Sequence, residues 1–205
     1  MAAKKKSLHA SERDSERVEQ ARTHYRELLA SLEVSRLKFV DESGVNLAMT
    51  RLYGRARKGV RVVGAVPRNY GQQVTLLGAM SLAGIGAVMT VEGATDAEVF
   101  RAYIKHVLGP TLVPGDMVVL DNLSVHKGRG IQQMLARRRT RLRYLPPYSP
   151  DLAPIESCWS KLKTYLRKAQ ARTRDTLDTA IAQALATVTP ADARRWFAHC
   201  GYAIQ

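Results

Sequence analysis

The stretch Leu145–Glu156, LPPYSPDLAPIE, holds four prolines in twelve residues and runs without a break into Ser157–Lys168, SCWSKLKTYLRK. Each proline fixes its own φ and restricts the residue before it, so the chain reaches Glu156 along a stiff arm. The segment after the arm reads as a helix from about 154 to 169. Ile155, Trp159, Leu162 and Leu166 recur at i, i+4, i+7 and i+11 and form its buried stripe. Glu156 stands at the edge of that stripe, near the positive end of the helix dipole, where a carboxylate is favoured on local grounds alone. What else in the chain requires an acid delivered on a rigid arm is the question that decides the fold.

Two further acids bear on it. In Arg36–Leu47, RLKFVDESGVNL, the alternation puts Leu37 and Phe39 on the face that also carries Asp41, as in a half-buried strand. In Gly115–Asn122, GDMVVLDN, the unbroken run Met117–Leu120 suits a strand covered on both faces, and Asp121 closes it. A lone carboxylate in either place is expensive unless a proton, a cation or a metal neutralises it. Taken singly, each aspartate is equally well read as capping a turn at a strand end. Glu42, next to Asp41, points to the opposite face and is a weak metal candidate.

The rest of the chain supplies the frame. Val18, Ala21, Tyr25, Leu28, Leu29 and Leu32 recur at helical spacing, which predicts an amphipathic helix over 15–33 behind the Lys4–Lys6 cluster, serving as an arm or a brace. Leu52–Gln72 is basic and rich in glycine. Gln73–Met80 and Gly84–Val91 read as a hairpin turning at Gly84, and neither a GxGxxG nor a GK[ST] pattern makes these glycines a phosphate cradle. Thr95 and Glu98 stand at capping-box spacing before a helix to Leu108. A helix over 128–138, a strand over 142–145 and closing helices over 174–188 and 190–199, the last opened by Thr189 and Pro190, complete the pattern. Three strands in succession, then strands alternating with helices, predict an α/β fold with a mixed sheet covered on both faces.

Charge narrows the partners. The chain of 205 residues carries 32 Lys and Arg against 18 Asp and Glu, a formal +14, which attracts polyanions and makes nucleic acid the first partner to consider. No apolar run approaches the ~20 residues that span a bilayer, and the first residues lack the apolar centre of a signal peptide. A cytoplasmic, DNA-associated protein with no membrane partner is expected. Cys158 and Cys200, the only two cysteines, lack a CxxC partner and are read as small buried apolar groups, which leaves zinc and a disulfide framework aside.

Together, FVDES with Asp41, VVLDNLSVHK with Asp121, and LPPYSPDLAPIESCWSKLK with Glu156 after 34 intervening residues resemble the DDE transposases, most closely the mariner-like group and its bacterial insertion-sequence relatives. The likeness runs from about Leu37 to Tyr202. It implies a ribonuclease H-like fold with a five-stranded mixed sheet, the first and fourth strands side by side, and a division into a basic N-terminal arm and helix, 1–36, and a catalytic domain, 37–205. It also implies that Asp41, Asp121 and Glu156 are the catalytic acids and the ligands of Mg²⁺, with Mn²⁺ as substitute. Such oxygen donors suit hard cations. Two divalent ions activate a nucleophilic oxygen and stabilise the leaving one, so the site would cleave the ends of an element and join the freed 3′ hydroxyl to target DNA. Another nuclease or integrase of this fold, and an inactive DNA-binding remnant, are the competing readings.

By the same resemblance Asn122 orients water beside the metal, and His126 either touches DNA or takes a structural hydrogen bond. Lys161 and Lys163, with Arg167 and Lys168, either contact phosphates or form a solvated face. Trp159 is read as core rather than as a DNA-stacking residue. Relatives commonly have Asn where this chain has Ala153, so the helix of Glu156 starts without a side-chain cap. Only 40 residues precede Asp41. The family's helix-turn-helix recognition region needs several helices there, so this chain is expected to be a catalytic half whose recognition half is a separate polypeptide or lost, with a homodimer as a further partner.

Overall fold

The computed structural model describes residues 10–123 and 128–204. Five strands, β1 (Leu37–Asn46), β2 (Gln73–Ser81), β3 (Gly84–Glu92), β4 (Met117–Leu120) and β5 (Arg141–Tyr144), form one sheet in the order β3-β2-β1-β4-β5. The first three pair antiparallel as a meander, while β4 lies parallel to β1 and β5 parallel to β4. The expected adjacency of the first and fourth strands is therefore present.

Among the described residues six α-helices flank the sheet: α1 (Glu16–Leu29), α2 (Ala97–Tyr103), α3 (Arg129–Arg137), α4 (Pro154–Ala169), α5 (Arg174–Ala186) and α6 (Pro190–His199). On one face Leu37, Phe39, Met117 and Val119 pack with Ile155, Trp159, Leu162 and Leu166 of α4, Leu177 and Ile181 of α5, Phe197 of α6, and Tyr25 and Leu29 of α1. On the other, Val40, Leu77, Val118 and Leu120 meet Phe100 and Tyr103 of α2, Ile104 and Leu108 just beyond it, and Ile131 and Leu135 of α3. Alternate β4 residues thus enter opposite cores, which is why its apolar run is unbroken. No helix among the described residues is long and apolar enough to cross a membrane.

Three local expectations change. Helix α1 ends at Leu29 rather than 33, because the Leu28 carbonyl accepts from both the backbone N–H (3.0 Å) and the hydroxyl (2.8 Å) of Ser31. The N-cap of α2 is Asp96, not Thr95: Asp96 Oδ1 accepts from the backbone N–H groups of Glu98 and Val99, each at 2.8 Å, so the competing side chain one residue on takes the role. After Tyr103 the stripe continues through Ile104–Leu108 as a π turn rather than as α-helix. The expected Thr189 cap is present and reciprocal with Asp192.

Between β1 and β2 the chain makes an irregular, exposed excursion over residues 47–72. It carries six cations and no acid. Its roots are tied to the body, with Leu47 N–H donating to Tyr70 O at 3.1 Å and Arg172 donating to the carbonyls of Leu47 (2.8 Å) and Met49 (3.0 Å).

At the centre of β2, Gly78 pairs with Asp41 of β1. A Cβ there would lie 2.9 Å from Trp159 Cη2 and 3.1 Å from Ile85 Cδ1. The neighbouring β3 accommodates this close approach with a bulge, one extra residue between its Gly86 and Met89 pairings, where Ala87 adopts φ +46°. Added bulk in a packed core costs about 1–3 kcal/mol. Gly78→Ala is therefore expected to lower the unfolding free energy in a urea titration by that amount, moving the midpoint to lower urea, and to shift tryptophan emission as the Trp159 ring moves; an unchanged midpoint and spectrum would show that the ring has room to spare.

Candidate active site

β1 and β4 pair with Leu37 against Met117, Lys38 against Val118 and Phe39 against Val119. The same offset brings Asp121 level with Asp41, and parallel partners point to the same side of a sheet. Phe39 and Val119 belong to the α4 side, so both aspartates emerge on that side, just past the strand pairing. Glu42 pairs with Leu77, whose side chain enters the opposite core. It stands away from the two aspartates, as its position in the strand predicts.

Asp41 is held from above by α4. The indole Nε1–H of Trp159 donates to Asp41 Oδ2 at 3.0 Å. Burial pushes the Asp41 carboxyl from 3.8 up to about 7, and the negative charges of Glu156 and Asp121 add to the rise, while the N–H groups of Glu42 and Trp159 oppose it. Asp121 Oδ1 accepts from the backbone N–H of Leu123 at 3.1 Å. Trp159 is 2% exposed, a core residue as expected, yet its polar edge serves the acid.

Glu156 is the third residue of α4, after Pro154 at the first position, and the N-cap Ala153 makes no side-chain hydrogen bond. Its carboxyl is also raised, chiefly by partial burial and further by Asp121, against the pull of Lys163. The arm before it turns sharply at Tyr148, φ +54°, and coils into a 3₁₀ turn over Pro150–Leu152. Arm, strand ends and helix enclose a cleft of about 530 Å³. Asp41, Asp121, Asn122 and Glu156 all line it, together with Phe39, Val119, Tyr148, Pro147, Ile155 and Arg17.

Other sites proposed from the sequence divide. Lys163 acts on the charge of Glu156 and so stands near the acids. Lys161 does not line the cleft: its Nζ donates to Asp192 Oδ2 and to Thr187 O, both at 2.7 Å, tying α4 to the start of α6. The hydrogen bonds of Lys161 and of Thr189 hold the Asp192 carboxyl well below the usual range. His126 lies outside the described residues, as do Lys4–Lys6. Cys158 and Cys200 are free and buried, and burial pushes their thiols up to about 12 and about 11. Arg17 and Tyr148 enter the cleft unannounced, since nothing in the α1 pattern shows which structure its polar face meets.

Residues 36–178 match the family of DDE superfamily endonucleases. The chain belongs to that family. No curated protein matches the sequence. Among solved structures, the chain is similar to the Mos1 transposase paired-end complex with left transposon end, at 17% identity and TM-score 0.75, over 97% of this chain and 63% of that one. It is also similar to the Mos1 strand transfer complex, at 16% and 0.69, over 100% of this chain and 67% of that one. The catalytic domain of Mos1 mariner transposase matches at 15% and 0.59, over 97% of this chain and 98% of that domain. The DDE endonuclease fold here is accordingly ribonuclease H-like, and the chain spans about 63% of the length of the first of these.

The donor set of this member of the DDE family fits a hard divalent cation: three carboxylates on one cleft, with no thiol or imidazole among the described lining residues. Among the described residues no three acidic, His or Cys side chains are gathered tightly enough to hold an ion as they stand. Asp41 and Asp121 each accept from a protein N–H instead.

The raised Asp41 carboxyl has a measurable consequence. With a folded value of about 7 against an ordinary 3.8, the folded protein keeps a proton that the unfolded chain has released, so stability falls as pH rises between about 4 and 7. Asp41→Asn keeps an acceptor for the Trp159 indole and removes the charge. Without divalent ions, its melting temperature relative to the unaltered protein is expected to climb from pH 4 to pH 8, by the equivalent of a few kcal/mol at ~1.4 kcal/mol per pKa unit. A difference that stays flat across that range would mean Asp41 ionises normally.

Proposed function

We propose that this chain is the catalytic domain of a DNA transposase, cutting element ends and joining them to target DNA with Mg²⁺, or Mn²⁺ in its place. The observation that carries this is the convergence of Asp41, Asp121 and Glu156 on one cleft, two of them through parallel strands in register and the third on its own helix. Similar folds have been solved as a Mos1 paired-end complex with Mg and as one with Mn. Residues 37–205 form the catalytic domain in this reading, and 1–36 its N-terminal arm and helix.

Bound between the carboxylates, divalent ions would activate the attacking oxygen and stabilise the leaving one in an in-line displacement. The protein's part is placement. Asp41 and Asp121 are set by the sheet and Glu156 closes over them from α4. Trp159 fixes the orientation of the Asp41 carboxyl by its N–H. Lys163 and Arg17 meet the phosphates beside the cleft, and Asn122 holds water at its edge. The six cations of the 47–72 excursion extend the grip on the backbone of the duplex. DNA is thus the main partner, with a homodimer and a separate helix-turn-helix polypeptide as the others, and the protein acts on DNA in the cytoplasm.

The test is a plasmid assay with the full chain. Supercoiled plasmid incubated with Mg²⁺ or Mn²⁺ should be nicked, and a labelled duplex ending in a free 3′ hydroxyl should become joined to it. Nicking without joining would mark a nuclease of the same fold. Asp121→Asn is expected to abolish both reactions while leaving DNA binding equal or tighter, because it removes an acid and one negative charge. Loss of binding in step with loss of nicking would make Asp121 structural. Binding itself should weaken steeply with salt, by roughly 10³–10⁵ between 50 and 200 mM for six to ten phosphate contacts.

A further inference from the structure

We propose that Arg22 of α1 is a positioning residue for the catalytic centre: it clamps α1 to the proline arm and so fixes where α4, and with it Glu156, begins. The inference rests on the reading of the cleft as a metal-dependent DNA-cutting site. Arg22 is 5% exposed, an unusual state for a cation, and both terminal nitrogens of its guanidinium bond to the arm. Nη1 donates to Ser149 Oγ at 2.6 Å and to Asp151 Oδ1 at 3.0 Å, and Nη2 donates to Asp151 Oδ2 at 2.7 Å. This planar fork holds a carboxylate in one orientation, which a lysine cannot do. Arg13 adds a weaker bond to Asp151 Oδ2 at 3.3 Å. Burial alone would raise the Asp151 carboxyl, but the hydrogen bonds and charge of Arg22, with Arg13 beyond, hold it below the usual range.

A second tie runs in parallel. Tyr25, also on α1, donates its hydroxyl proton to Tyr202 Oη at 3.0 Å, and Tyr202 donates to Leu152 O at 2.8 Å. Both ties land between Ser149 and Leu152, four to seven residues ahead of Glu156. This is where the local sequence leaves the start of α4 least determined, since the Ala153 cap has no side-chain acceptor. A capped helix fixes its own first turn. Here the position of the first turn is inherited from the arm, and the arm is held by α1. That α1 reaches the site is independently shown by Arg17, which lines the same cleft as the three acids.

The clamp acts through Glu156, so its loss should weaken metal binding more than it slows the loaded enzyme. The full chain and its Arg22→Met, Arg22→Lys, Asp151→Asn and Asp121→Asn variants are titrated with Mn²⁺, free ion being followed by electron paramagnetic resonance, and plasmid nicking is measured against Mn²⁺ concentration. Arg22→Met and Asp151→Asn are expected to bind Mn²⁺ about tenfold or more weakly, the scale seen when partners behind metal ligands are removed. The Mn²⁺ concentration for half-maximal nicking should rise in parallel, with the rate at saturating Mn²⁺ changing far less, and Arg22→Lys should recover part of the affinity. If Arg22→Met does not fold, Asp151→Asn and Arg22→Lys decide. Variants that melt lower yet bind Mn²⁺ like the unaltered protein would reduce Arg22 to a purely structural residue and overturn the proposal. Should the unaltered protein itself bind Mn²⁺ no better than Asp121→Asn, the metal-site reading fails first, and the role of Arg22 with it.

Discussion

Burial of a carboxyl on the core side of β1 is the constraint around which this protein is arranged. Asp41 follows Leu37 and Phe39 on a face packed against helices, and its carboxyl is pushed up to about 7. Such a group needs donors, and the indole of Trp159 supplies one. For the indole to reach it, the ring must lie across β2, and only a glycine at 78 leaves the space. The bulge in β3 beside Gly78 belongs to the same adjustment. One polar atom on a strand thus dictates a residue type on the next strand, a distortion on the third and the aromatic on the covering helix.

The same face shows how Phe39, two residues before Asp41, is buttressed. Its ring meets Phe197 and Tyr202 edge-on, with centroids 5.4 and 5.2 Å away. Tyr202 is then polar at its far end, where it bonds to Leu152 O and Tyr25. A buried tyrosine with both its ring and its hydroxyl engaged joins an apolar cluster to a polar network. Here it connects β1, α1, α6 and the arm, so the strand that bears Asp41 and the segment that delivers Glu156 share a support.

Much of this was legible in the chain, for identifiable reasons. The period-two pattern around Asp41 and the apolar run before Asp121 are local signals, and they predicted two strands whose adjacency the sheet order bears out. The stripe Ile155, Trp159, Leu162 and Leu166 likewise specified which side of α4 is buried. What stayed hidden depends on pairs far apart in the chain: Trp159 with Asp41 across 118 positions, and Arg22 with Asp151 across 129. Arg22 falls at i+4 on the stripe of Val18, Tyr25 and Leu29, so its burial follows the helical period where that of Arg26 does not, but nothing local names its partner. The pairing of Lys161 is hidden for the same reason, because its partner Asp192 lies on another helix. The cap of α2 failed more narrowly, where Thr95 and Asp96 are adjacent candidates and only the backbone turn selects between them.

The three acids are placed by two kinds of constraint with different tolerances. Strand register is quantised: a slip of one residue would turn Asp41 or Asp121 to the opposite face, so the sheet sets both correctly or not at all. A helix reached through an arm has no such quantum, and small shifts of the arm move Glu156 continuously. The arm is therefore fixed from several directions: Leu145, Leu152 and Ala153 are buried in the core, Ser149 and Asp151 are gripped by Arg22, and the Leu152 carbonyl is held by Tyr202. Against these restraints the arm keeps Tyr148 at φ +54°, a conformation that persists only where surroundings over-determine it. Prolines stiffen the arm, but stiffness sets no position by itself; the contacts from α1 and Tyr202 do that, and they turn a rigid segment into a located one.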